Sequence, residues 1–149
     1  MSATISRDRI AYDRDIVAWS IEQAKLIRAG RFDELDLERI ADEIEDVGKS
    51  EQRELISRMA VLITHLLKWA YQPGNRSSSW EGSIREQRKR IAKALKQTPS
   101  LKNTLENSDW LEDAWSDGLI KAMDETGISD LPESPVWTSE EMLTEGWLP

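Results

Sequence analysis

Asp42, Glu43, Glu45 and Asp46 form the carboxylate cluster whose spacing suits a hard cation. On a helix Asp42 and Asp46 stand at i, i+4 and Glu43 and Asp46 at i, i+3, so each pair could share one ion, and magnesium is the cofactor such a site would take. A hydrolytic centre would also need a second carboxylate pair on a facing helix, Glu51 with Glu54 or Asp113 with Asp117, and Arg76, Arg85 or Arg88 as phosphate clamps. Without that second pair the run is a solvated acidic face and no cofactor is expected.

A second grouping surrounds the turn from Gln72 to Ser79 and contains the chain's only histidine, His65, with Trp69, Tyr71, Trp80, Arg76, Arg85 and Arg88. At 100° per residue, Glu51 falls near the centre of the apolar stripe made by Ile44, Leu55, Leu62 and Trp69. Arg58 and His65 lie along one margin of that stripe, while Gln87 and Arg88 flank Ile84, Ile91 and Leu95 on the next helix. Helices joined by a short turn pack antiparallel, which brings His65 and Arg88 level. A buried unpaired charge costs several kcal/mol, so Glu51, Arg58, His65, Gln87 and Arg88 are expected to form one polar cluster, paired in a core or dimer network or completed by a ligand.

One histidine cannot make a histidine-rich transition-metal site, and no serine or threonine nucleophile stands beside it in a known motif. Gly74 belongs to a turn, not to a phosphate loop. Arg76 beside Ser77, Ser78 and Ser79 could hold an anion at a helix N-terminus, although helix capping alone accounts for the serines. Arg85, Lys89 and Lys93, with Arg90 and Lys96, give the same helix a basic surface that a nucleic acid could use.

The elements that must position these groups are all helical. Ile16, Trp19, Gln23, Leu26 and Ile27 follow a 3.6-residue period that Gly30 stops, predicting a helix over about residues 13–29. Asp36 offers the next N-cap. Leu37, Ile40, Ile44, Val47, Leu55, Met59, Leu62, Leu66 and Trp69 then run as one stripe to Gln72 and Pro73, some 35 residues or roughly 50 Å. A kink or break near Gly48 is expected in so long a helix, or else a part that projects to meet a second chain. Ser77, Ser78 or Ser79 caps a third helix closed by Thr98 and Pro99. A short helix follows from Ser100 to about Leu105, and another runs from Ser108 to Gly127. Thr138 and Glu141 fit a capping box, after which Met142, Leu143, Trp147 and Leu148 should dock the C-terminus. The fold class expected is therefore all-α: a helical bundle with one long, kinked second helix and an antiparallel helix packed on it. Residues 1–149 are read as a single domain, with 1–11 flexible and 128–149 docking on the bundle.

Composition bounds the function. There is no cysteine, which excludes disulfides, thiolate catalysis and Cys-built zinc sites. No continuous apolar leader and no 18-residue uncharged run occurs, so a cytoplasmic protein without membrane partners is expected. Seven Trp stand against two Tyr and one Phe, and most of these indoles should be core. Charge is uneven: residues 1–75 carry 11 Lys/Arg against 14 Asp/Glu, residues 76–102 carry 8 against 2, and residues 103–149 carry 1 against 12. The basic segment is expected to pair with its acidic neighbours, with nucleic-acid binding on helix 80–97 as the alternative.

Tyr12-Asp13 with Ala18-Trp19, the run Leu26 to Phe32, Leu35-Asp36, Glu43 to Asp46, Ser50-Glu51, His65 to Trp69, Gln72-Pro73, Arg76-Ser77, Ser79-Trp80, Ile84 to Arg88 and Pro99-Ser100-Leu101 together resemble the bacterial family called domain of unknown function 29. The resemblance covers nearly the whole chain from about residue 11. It implies a small all-helical domain that forms essentially a whole protein, and it implies no activity and no functional residues. Asp42 departs from the glutamate the family often carries there, and the charge is kept. The function expected is that of an interaction or binding module, with a second copy of the chain, through the long helix, or another protein as partner. A magnesium-dependent phosphate-ester or nucleotide hydrolase is the first alternative, and a nucleic-acid-binding protein the second.

Overall fold

The computed structural model of the chain describes residues 11–149, so the expected flexible segment 1–11 lies, but for its last residue, outside the described residues. The described residues form α1 (Ile16–Arg28), α2 (Leu37–Tyr71), α3 (Ser78–Gln97), α4 (Leu101–Glu106), α5 (Ser108–Thr126) and α6 (Ser139–Leu143), with 3-10 turns at Phe32–Glu34 and Pro73–Asn75. No strand occurs among them. Chain contacts divide the described residues into two compact units, one ending at Lys49 and one running from Ser50 to Pro149. The helix α2 passes Gly48 without a break.

The starts and stops follow side-chain chemistry. Asp15 caps α1 by accepting from the Ala18 amide, and Ser77 caps α3 by accepting from that of Trp80. Asn107 caps α5 through the Asp109 and Trp110 amides, and α5 ends at Gly127, whose φ of 74° suits a residue without Cβ. Thr138 and Glu141 close the capping box of α6.

Among the described residues of the amino-terminal unit, Trp19 and Gln23 are the buried side chains. The Trp19 indole N–H donates to Asp36 Oδ2 at 3.1 Å, while the Asp36 amide donates to Gln23 Oε1 at 2.8 Å. Asp36 stands immediately before α2, where the N-cap is expected, with its carbonyl accepting from the Ile40 amide, and its carboxylate satisfies a buried indole N–H across the α1–α2 turn. Tyr12 meets Trp19 edge-on, with ring centroids 5.0 Å apart, and the Arg39 guanidinium lies 4.8 Å from the Tyr12 ring centre.

The carboxy-terminal unit holds the larger core. Leu55, Met59, Leu62, Ile63, Leu66 and Leu67 of α2 pack with Ile84 and Ile91 of α3, Leu101 and Leu105 of α4, Ala114, Trp115 and Ala122 of α5, and Leu131 and Met142. The helix α3 returns antiparallel along the end of α2 after the turn at Pro73. A Cβ on Gly118 would lie 2.7 Å from Ile63 Cγ2 and 2.8 Å from the Ala60 carbonyl oxygen, so α5 crosses α2 at a distance only glycine allows. Thr64 Oγ1 donates to the Gly118 carbonyl at 3.1 Å across that crossing. Trp115 is fully buried, donates to the Pro132 carbonyl at 2.8 Å and meets Trp137 edge-on, which in turn meets Trp147.

Candidate functional site

Among the described residues no hydrogen bond or ion pair joins the five residues expected as one polar cluster. Glu51 is exposed, because the buried stripe of α2 begins only at Leu55 and the carboxylate lies one turn before it. Arg58 pairs with Glu54 at 2.7 Å along the surface of its own helix. His65 is half-buried, and its Nδ1 donates to the Val61 carbonyl one turn back at 2.9 Å. Gln87 keeps a buried Oε1 that has no hydrogen-bond partner among the described residues.

Arg88 is the member of that set that is buried, and it takes neither Glu51 nor any other carboxylate among the described residues. Its Nε donates to the Met142 carbonyl at 2.8 Å and its Nη2 to the Trp147 carbonyl at 2.6 Å. The carbonyls that close α6 and follow it have no helical partners, and a guanidinium presents several donors in one plane, so one side chain fastens the last segment to α3. Burial pulls the Arg88 pKa below the ordinary arginine value.

A cleft of about 670 Å³ opens beside Arg88, between α3 and the C-terminal segment. Glu81, Arg85, Arg88 and Lys89 of α3 line it together with Glu145, and Ile84, Ala92, Leu143 and Leu148 give apolar wall. Of the other expected anion-binding residues, Arg76 stacks on Trp69, 5.0 Å from the ring centre, and donates from Nε to that residue's carbonyl at 2.9 Å. Lys93 is exposed on α3.

Among the described residues no three His, Asp or Glu side chains gather where they could hold a metal ion. Asp42 and Asp46 are exposed, and Glu43 instead accepts a hydrogen bond from the Tyr12 hydroxyl. That bond, made to the neutral phenol, raises the Tyr12 pKa. The Tyr12, Trp19, Gln23, Asp36 and Glu43 links were missed in the sequence, although Gln23 breaking the apolar period of α1 was a visible signal.

The amino-terminal unit also carries a surface of another kind. Ile16, Val17, Ile21, Ile27, Phe32, Leu37, Ile44 and Val47 are all exposed there, with Leu37 at 65%, Ile44 at 67% and Val47 at 68%. The same stripe of α2 is buried from Leu55 onward, whereas before Ser50 Leu37, Ile44 and Val47 are exposed and Ile40 is half-buried.

The family model for Domain of unknown function DUF29 matches residues 11–148, nearly the whole chain, and the protein belongs to that family. No match was found to any curated protein or to any solved structure. Among the described residues no helix is long and apolar enough to cross a membrane.

Proposed function

We propose that the protein is an interaction module, a helical body that offers the open apolar face of its amino-terminal unit to another polypeptide. The observation that supports this reading is the concentration of exposed apolar side chains: among the described residues, eight of the thirteen large ones fall in residues 16–47. Single exposed apolar residues are ordinary, whereas contiguous patches mark surfaces that dock. The chain has no cysteine, so Leu37→Cys, Ile44→Cys and Val47→Cys each create a unique probe. At sub-micromolar concentration, maleimide should label each within about threefold of the rate for an unstructured peptide, since thiolate access sets the rate. Labelling slowed about a hundredfold would mean a covered face and would remove the reading.

A second reading, binding of a small anion, is favoured by one observation: Arg85, Arg88 and Lys89 share the cleft beside the C-terminal segment. Calorimetry with inorganic phosphate and with octanoate tests it. Heat lost in Arg85→Glu would support the cleft, and no heat at millimolar ligand would remove it.

A further inference from the structure

The occupant of the open face can be named from its pattern. Leu37, Ile40, Ile44 and Val47 recur at spacings of three, four and three residues. On a straight helix they lie within an arc of about 80°, the geometry of a coiled-coil seam. Ala41 and Gly48 stand beside this seam, and a Cβ added to Gly48 would meet nothing within 4 Å, so a second helix could approach closely. The unit that bears the seam has few other means of burying it. Residues 11–49 include only two buried side chains, Trp19 and Gln23. Small units with few buried side chains commonly rely on disulfides, metals or association to complete a core. The chain has no cysteine, so a disulfide is not among these means.

Resting on the reading of this face as an interface, we infer that its partner is a second copy of this chain, with the two α2 helices antiparallel and centred near Asp42. In that register Leu37 faces Val47 of the second copy and Ile40 faces Ile44, so an a position meets a d position throughout the seam. Arg39 falls level with Glu45 of the second copy. The parallel alternative is disfavoured by Glu51, which continues the seven-residue spacing after Ile44 and would meet its own copy across the seam. The exposed part of the seam is on the order of 400 Å² per copy, about half that of a standard interface, so the pairing is weak, with dissociation on the order of 100 µM. Residues 11–49 carry 6 Lys/Arg against 11 Asp/Glu, so two copies repel at low ionic strength and salt strengthens the pair.

Sedimentation equilibrium of the full chain, from about 1 µM to about 1 mM in about 0.5 M salt, reads the pairing directly. The mass should rise from 17.1 kDa toward twice that value and no further. Ile44→Glu should weaken association at least about tenfold. Ile120→Glu, at a comparably exposed isoleucine (64% against 67%) in the other unit, should leave it unchanged. Mixing the Leu37→Cys and Val47→Cys proteins under oxidising conditions should give a disulfide between them that neither gives alone. Self-linked Leu37→Cys in place of the mixed product would overturn the antiparallel register. A constant 17.1 kDa, or equal effects of the two glutamates, would overturn the pairing itself. The two failures are separable: a monomer with fast maleimide labelling at Leu37→Cys removes self-pairing and leaves the face for another polypeptide, whereas a monomer with slow labelling removes both.

Discussion

Gly118→Ala sets two known effects against each other at one atom. In an open helix, alanine is favoured over glycine by about 1 kcal/mol. At Gly118 the new Cβ would lie 2.8 Å from the Ala60 carbonyl oxygen and 2.7 Å from Ile63 Cγ2. The carbonyl belongs to the α2 backbone and cannot swing aside, so the two helices must separate by some tenths of an ångström. Overpacking of that kind costs about 1–3 kcal/mol. The one hydrogen of the Thr64 hydroxyl is shared between the Ala60 carbonyl at 2.9 Å and the Gly118 carbonyl at 3.1 Å, and the part that spans the crossing lengthens with it, at a cost of up to about 1 kcal/mol. The balance is a destabilisation of about 2 kcal/mol. Gly82 in α3 is the matched control: a Cβ there meets nothing within 4 Å, so Gly82→Ala should stabilise by up to about 1 kcal/mol. Urea unfolding followed by tryptophan fluorescence reads both variants, because Trp115 is fully buried one turn before Gly118. The Gly118→Ala melting temperature should fall by about 4–8 °C. A Gly118→Ala protein as stable as wild type, or shifted in the same direction as Gly82→Ala, would refute the close crossing of α5 and α2.

Arg88→Met strands the Met142 and Trp147 carbonyls and should cost about 2–3 kcal/mol, with amide exchange accelerated first in residues 138–149; unchanged exchange there would show that the segment is held by its apolar contacts alone. Thr138→Ala opens the capping box and should cost about 1 kcal/mol by urea unfolding, and a loss below a few tenths would deny the cap an energetic role. Lys68 bonds Glu125 at 2.8 Å, and that hydrogen bond is the main cause of the lowered Glu125 pKa. A carboxyl whose folded pKa is depressed adds stability above its unfolded pKa and loses it as pH falls through the folded value. Since the pair is partly solvated, Lys68→Met should cost about 0.5–1 kcal/mol at pH 7, part of it from the lost contact with the Trp80 ring, 4.9 Å away. The ionic part of the difference from wild type should disappear in acid below the Glu125 titration, and a difference that grows in acid would contradict the assignment.

The helices were legible because their signals are local. Asp15, Ser77, Gly127 and the Thr138–Glu141 box each act within one turn of themselves, and the apolar period of α2 carries its own direction. What was not legible depends on partners that periodicity cannot specify. Glu51 shares the angular position of Leu55 and Leu62, but one helix's period does not say where its neighbours end, and the burial begins at Leu55. Arg88 flanks the apolar row of α3, as its position in the period predicts, but its partners are backbone carbonyls, which no residue type announces. The Tyr12–Glu43 bond joins residues 31 apart, and only the turn between α1 and α2 decides that they meet. Gly118 looked like any helical glycine until Ile63 and the Ala60 carbonyl came within 3 Å of its missing Cβ.

The helix α2 joins two energetic regimes. From Leu55 onward it buries large apolar side chains at nearly every turn, each contributing about 1.5–3 kcal/mol. Before Ser50 it is held chiefly by Asp36 to Trp19, Glu43 to Tyr12 and Arg39 over the Tyr12 ring. Helical segments of this length are marginal in water without packing, so residues 37–49 form the part of α2 that opens at least cost. Pairing with a second copy would raise that opening free energy with concentration, since any partner that binds only the folded form stabilises by mass action. The carboxy-terminal core has no such dependence. Amide exchange measured at about 10 µM and about 1 mM, straddling the proposed dissociation constant, should therefore slow in residues 37–49 and stay constant in residues 55–67. Uniform slowing along α2 would mean that association stabilises the whole chain and not this face, and no change in residues 37–49 would mean that Leu37, Ile44 and Val47 stay in water at both concentrations.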